Sequence, residues 1–446
     1  MSVVRVARTV GALFAFPVLT MCAGGPRPGS PPATAADTMN ASAASFANGM
    51  RIASEFRADA IASRRFTHAQ LWQALTPFTA AAHFRTEVIG RSTLGAELRA
   101  VTYGGGPIKV LLWSQMHGDE STATMAMADI LRFLSESRND PLPERWRTRL
   151  TLVFVPMLNP DGAELFQREN AAGVDINRDA RQLATPEGRA LNALRERLRP
   201  DFGFNLHDQG ARTRAGPQGP QAAIALLAPP YNEDREYNEV RTRARLVAAV
   251  MARALATDIP GRVARFDESY SVRAFGDAMQ RAGTSTVLIE SGALPDDPQK
   301  QRVRALNVAI LLTALDAIAS GDYASADPAD YESLPGNAGG AVDLLVMRGD
   351  LVLPGREPRR ADIAVNFEDA VARSGGRVRD VGDLRETIAI DTIDATGLFI
   401  HPGPTAMQGA AGGWLRVGAP AVFELRRGAA ATSELVRQLG ESLPNR

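Results

Sequence analysis

Between residues 41 and 84 apolar positions recur at helical spacing, and Thr67 is placed to cap a helix over His68–Leu75 that is predicted to stop before Pro77. Residues 86–104 read as strand and hairpin material, and residues 108–113 as a short apolar run of the kind found in a buried strand. Helical and strand patterns then take turns. Helices are predicted over 121–133, 186–198, 241–256 and 301–319, and strands over 150–155, 201–206 and 286–290. Residues 209–220 form a Gly/Pro-rich loop without periodicity. The alternation predicts an α/β unit over 41–325, a mixed, mainly parallel sheet flanked by helices. In such sheets functional side chains gather at the carboxyl ends of strands. Residues 320–340 read as a polar linker. Beyond it, short β-like runs at 342–347, 361–365, 386–390 and 421–425 predict a separate small β domain over 341–446.

Charge narrows the function. Fifty basic and 50 acidic side chains give the 446-residue chain a formal net charge of zero, which argues against a nucleic-acid coat or an anionic membrane surface as partner. Only Lys109 and Lys300 among the basic residues are lysines, a composition bias and not a binding patch. The single cysteine excludes an intrachain disulfide framework and any multi-cysteine zinc site. At the N-terminus, Arg5 and Arg8 precede an apolar run over 10–21 and a small-residue tract to about residue 36, the pattern of an export signal. The run is too short to span a bilayer, and no later segment is read as doing so. Leu19-Thr20-Met21-Cys22 resembles a bacterial lipoprotein signal, with Met21 where a small residue is usual. The two readings are lipidation at Cys22 or a signal peptide cut near Ala33-Thr34-Ala35, and both place the protein in the periplasm or cell envelope.

The sharpest chemical signal is His117-Gly118-Asp119-Glu120, where the first buried strand ends. An imidazole and a carboxylate three residues apart at a strand-to-helix junction can face one position, and both suit zinc. Alone, the pair is a weak signal, and a capped helix with a surface glutamate is the better reading of it. It is followed by Asn159-Pro160-Asp161-Gly162, by Arg168, Asn170, Gly173 and Val174-Asp175-Ile176-Asn177-Arg178, by Asn205-Leu206-His207-Asp208, and by Leu288-Ile289-Glu290-Ser291-Gly292.

In these motifs, in this order, the chain from about Phe66 to Ala319 resembles the zinc metallocarboxypeptidases of the carboxypeptidase A type. The resemblance implies one zinc ion per chain held by His117, Glu120 and His207, with Asp175 orienting His117 through its other ring nitrogen. It implies hydrolysis of the C-terminal peptide bond of a peptide by a zinc-held water, with Glu290 as general base and Glu268 as fallback. Arg168 would stabilise the oxyanion, and Asn177 and Arg178 would bind the substrate's terminal carboxylate. Tyr270, 20 residues before Glu290, would cap that carboxylate, and Asp277 falls where the family lines its specificity pocket. His68 and His83 are read as structural or exposed.

The C-terminal runs, with Gly382-Asp383-Leu384 and His401-Pro402-Gly403-Pro404, resemble the small β-sandwich that accompanies amidohydrolase barrels, and are read as an accessory module. Two other functions stay open at this point. One is an envelope amidase acting on peptidoglycan stem peptides or N-acyl amino acids, and the other is a metal-free binding module that has kept the fold.

Overall fold

The computed structural model describes residues 35–408 and 413–440; the export-signal and Cys22 assignments lie outside them. The first sheet has eight strands: β1 (Phe84–Arg91), β2 (Glu97–Gly104), β3 (Ile108–Ser114), β4 (Leu150–Val155), β5 (Phe202–Asp208), β6 (Ile224–Leu227), β7 (Val263–Arg265) and β8 (Ser285–Ser291). Their spatial order is β1-β2-β4-β3-β5-β8-β6-β7. The centre, β4-β3-β5-β8, is parallel, while β1, β2 and β6 bring in antiparallel pairings. Strand β8 is buried at every residue and β5 at all but its last, as expected where helices cover both faces.

On one face lie α1 (Ala35–Glu55), α2 (His68–Thr79), α3 (Thr122–Glu136), α4 (Leu142–Arg149), α7 (Glu239–Leu255) and α9 (Gln301–Ser320), sharing a core with Phe133, Val247 and Leu311. On the other, α6 (Pro186–Leu198) and α8 (Phe275–Arg281) close over Trp113, Leu191 and Met279. The chain moves from β3 to β4 on one side and to β5 on the other, so a crevice opens at the carboxyl end of β3. The one-turn helix α5 (Pro160–Leu165) sits beside it.

Two expectations need correcting and a third needs detail. Thr67 does cap α2, in a reciprocal pairing with Gln70, but the helix runs through Pro77 to Thr79. One proline in a last turn removes a single backbone donor, too little to end the helix there. Helix α9 is 20 residues long and apolar enough to cross a membrane by length and composition, contrary to the reading that no later segment is. It is buried within the fold over most of its length, and its apolar surround is that of a central core helix. Residues 320–340, finally, are largely exposed, as a polar linker would be, but are tied to the first unit at several points. Tyr331 is fully buried with its hydroxyl accepting from Ala228 N–H, Asp330 and Glu332 pair with Arg253 and Arg245, and Asn337–Ala338 form a short ladder with Arg214–Ala215. Two of the segment's acidic residues, Asp330 and Glu332, are thereby held by arginines of α7.

The second sheet comprises β9 (Val342–Leu351), β10 (Arg359–Asp369), β11 (Ser374–Gly382), β12 (Ala389–Asp394), β13 (Phe399–Pro402), β14 (Phe423–Arg426) and β15 (Leu435–Leu439). Their order is β11-β10-β9-β13-β14-β15, with β12 parallel to β9. Val346, Ile363, Ile400 and Phe423 form its core. It meets the first unit through Arg212, which donates to Asp343 (2.7 Å) and to the Phe367 carbonyl, and through an Arg64–Asp369 ion pair.

One buried ion pair holds the N-terminal segment in place. Asp129 on α3 accepts from the Nε of Arg304 on α9 at 2.7 Å and from Ala58 N–H at 2.7 Å, both side chains being 1% exposed. Arg304 also donates to the Ala58 and Ile61 carbonyls. Asp129→Ala would strand a buried guanidinium and is expected to lose about 3–5 kcal/mol in urea denaturation. Asp129→Leu with Arg304→Met should recover much of that. A single variant within about 1 kcal/mol of wild type would show the pair to be dispensable.

Candidate metal centre

His207 and Glu290 stand on the ends of buried strands, His117 and Glu120 on the turn after β3, and Arg168, Asp175, Asn177 and Arg178 on the loop that follows α5. After β3, Gln115 adopts a left-handed backbone conformation (φ 50°), and its side chain donates to the Gly118 carbonyl at 2.9 Å. The chain thereby turns sharply before His117. A Cβ on Gly118 would stand 2.1 Å from the backbone carbon of Gly162, so the two motif turns pack backbone against backbone. Asn159 holds the second turn, accepting from Gly162 N–H at 2.9 Å and donating to the Arg168 carbonyl at 3.2 Å. Asn170 serves the same scaffold by bonding Thr93 and Glu187.

His207 is the next-to-last residue of β5, and in the parallel register its neighbour on β8 is Glu290. His117, Glu120 and His207 converge, all buried, with one donor atom from each within 4.8 Å of the others. Among the described residues this is the one cluster of histidine, cysteine and carboxylate side chains close enough to hold a metal ion. Both imidazoles turn Nδ1 to the Glu120 carboxylate, His117 at 2.8 Å and His207 at 2.7 Å, and the two Nδ1 atoms are 3.2 Å apart. Ligands about 2.0–2.2 Å from a tetrahedral zinc stand roughly 3.3 Å from one another, so these donors fit the ion with small outward shifts. The surroundings, with Asp119, Asp175, Asp208, Glu120 and Glu290 against Arg168 and Lys300, favour a divalent cation.

The charges shift as that crowding dictates. Burial by itself would lower the His117 imidazole, but Glu120 and Asp175 outweigh it and lift it to about 9. Burial would raise Glu120, and the two histidines instead hold it well below the usual carboxylate range. His207 is lowered, chiefly by burial. Glu290 is pushed well up, first by burial and then by the charges of Glu120 and Asp208.

Around the cluster, Asp175 accepts from His117 Nε2 at 3.0 Å and is gripped by Arg168 at 2.9 Å. Arg168 also reaches Glu120 at 3.2 Å. Asn177 is gathered in, but inward: its Oδ1 accepts from Phe275 N–H at 2.9 Å and its Nδ2 lies 3.4 Å from His207 Nε2. Arg178 lies at the surface, donating to the Asn177 carbonyl at 2.8 Å. Tyr270 is not brought to the cluster by any hydrogen bond, its hydroxyl accepting from Arg281 at 2.6 Å. Glu268 is taken up by the buried Arg241 at 3.0 Å. Asp277 is buried on α8, accepts from Ser271 N–H at 3.0 Å, and is pushed up to about 6 by burial. His68 and His401 bond backbone carbonyls, those of Glu97 and Gly428, and His83 packs on Phe84 and Tyr103.

Two neighbours escaped the sequence reading: Asp208, directly after His207, and Lys300, which pairs with it at 2.9 Å. The available signal was the rarity of lysine in this chain.

Comparison with known proteins gives the following likenesses. Residues 79–218 match the zinc carboxypeptidase family model, a stretch that holds His117, Glu120, Arg168, Asp175, Asn177, Arg178 and His207 and ends before Glu290. The chain is 29% identical over 116 residues to a probable carboxypeptidase 2 of Trichophyton verrucosum, covering 25% of this chain and 21% of that protein. It is 34% identical over 65 residues to a carboxypeptidase of Arabidopsis thaliana, covering 14% of this chain and 13% of that one. The chain thus spans about a fifth or less of the length of these curated relatives. Among solved structures, a metallo-carboxypeptidase from Burkholderia cenocepacia superposes with a TM-score of 0.48 at 18% identity, over 58% of this chain and 70% of that one.

Proposed function

We propose that this chain is a zinc-dependent carboxypeptidase, cleaving the last peptide bond of a peptide with a free terminal carboxylate. The observation that carries the reading is the convergence of His117, Glu120 and His207 with Glu290 in register beside His207. His117, Glu120 and His207 would hold the ion. Zinc, when bound, supplies Lewis-acid activation of water and of the scissile carbonyl.

The chain's own residues do the remaining work. Glu290, on a buried strand end where desolvation raises the proton affinity of its carboxylate, takes a proton in its ionised form from the attacking water and returns it to the leaving amine nitrogen. Arg168, braced by Asp175 and Glu120, presents fixed positive charge to the oxyanion. Asp175 holds the His117 ring so that Nδ1 faces the metal position. Arg178 offers its guanidinium fork to the terminal carboxylate. The N-terminal pattern over 1–36 supports placing the reaction in the cell envelope, and the mass of protein recovered from that fraction tests the processing.

Incubation of the purified protein with a peptide library, with products read by mass spectrometry, tests the activity. Loss of single C-terminal residues, blocked by a chelator, is expected; cleavage only at internal bonds would overturn the reading. The inward turn of Asn177 and the engagement of Tyr270 by Arg281 favour one second reading, an amidase whose substrate is gripped differently. Cleavage of muropeptides or N-acyl amino acids alone would support it. Arg178→Ala is expected to raise KM about 10- to 100-fold for free-carboxylate peptides, from the loss of charge-assisted bonds. Amidated peptides should be unaffected, and an equal effect on both would remove the assignment.

A further inference from the structure

At the last rung of the β5–β8 ladder, Asp208 stands opposite Ser291, the residues that follow His207 and Glu290. Lys300, which leads into α9 with a left-handed backbone (φ 52°), sends its side chain across that rung. Its Nζ donates to Asp208 Oδ2 at 2.9 Å and to the Ser291 carbonyl at 3.1 Å, with the side chain 5% exposed. Thr122 donates to the same carboxylate oxygen at 2.5 Å, and Asp208 N–H donates to Glu120 Oε2 at 3.1 Å. One buried ammonium therefore joins the strand end carrying a histidine of the cluster to the strand end carrying the glutamate, and through Asp208 it also braces Glu120.

We propose that Lys300 is a positioning residue which, through Asp208 and the Ser291 carbonyl, sets the separation between the metal-holding residues and Glu290. This rests on the reading of His117, Glu120 and His207 as zinc ligands. A compact ammonium suits the place, because its donors diverge to a carboxylate on one side and a carbonyl on the other, whereas a guanidinium is a flat fork built for one planar partner. All but two of the chain's 50 basic residues are arginines, and one of the two lysines stands here.

The test compares wild type, Lys300→Met, and Lys300→Met with Asp208→Asn, all as full chains. Zinc affinity is read by competition with a chromophoric chelator, thermal stability by circular dichroism, and kcat and KM on a peptide that the wild type cleaves. Lys300→Met is expected to weaken zinc binding about 10- to 100-fold, as loss of outer-shell support does, and to lower kcat more than tenfold with KM nearly unchanged. In the double variant the buried carboxylate charge is gone, so the melting temperature should return toward wild type while zinc affinity and kcat stay low. Recovery of all three together would make the ion pair merely structural and overturn the proposal. Wild-type zinc affinity and kcat in Lys300→Met would do the same. If Lys300→Met does not fold, the double variant alone decides between these outcomes. Absence of zinc binding in the wild type would instead overturn the reading of the site itself.

Discussion

Glu290→Gln is expected to bind zinc as the wild type does and to lose at least about 100-fold in kcat, with KM little changed. Positioned proton transfer contributes typically 10²–10⁴-fold, and glutamine keeps the shape of the side chain while losing the ability to take and return a proton. Glu290 has the surroundings for that duty. It is 8% exposed, it sits beside Glu120 and Asp208, and burial with those charges raises its pKa, so it can hold a proton and release it to a leaving amine. Steady-state kinetics with metal analysis of the same preparation would decide. A loss smaller than tenfold with full zinc would move the base elsewhere.

His207→Ala is expected to abolish activity by a different route, with zinc falling far below one ion per chain. The substitution removes one of three donors and leaves His117 and Glu120, an i,i+3 pair on a single turn, to face the metal alone. Because β5 is fixed by its ladders to β3 and β8, the chain should remain folded by circular dichroism. A stoichiometric zinc content in this variant would exclude His207 as a ligand. The two variants separate what Glu290→Gln is expected to leave intact, the metal, from what His207→Ala is expected to destroy.

Much of this was legible in the sequence because the chemistry sits where apolar runs stop. The patterns at 108–113, 201–206 and 286–290 mark strands that the structure places side by side, and His117, His207 and Glu290 each lie at or just beyond such an end. What escaped depends on partners remote in sequence. The direction of the Asn177 carboxamide is set by Phe275 N–H, 98 residues away, and the role of Asp208 by Lys300, 92 residues away. Residues 320–340 looked like a linker because composition does not show that Asp330 and Glu332 meet arginines of α7. Strands β6, β7, β11, β13 and β15 went unread, β6, β7 and β13 because they are only three or four residues long and β11 and β15 because they are largely exposed edge strands. Runs that short, and edges that exposed, give too few positions for a period to show.

The pairing of β5 with β8 also bears on when the site comes into being. His207 and Glu290 are 83 residues apart in the chain yet adjacent across one ladder, and closing a loop of that length costs about 4 kcal/mol of chain entropy before any contact is gained. No local fragment holds both groups, so a chain still emerging from the ribosome has nothing with which to cut its neighbours until residue 291 is free and the central sheet has closed. The proposed activity would thereby be tied to the completion of folding, a delay written into the strand order itself.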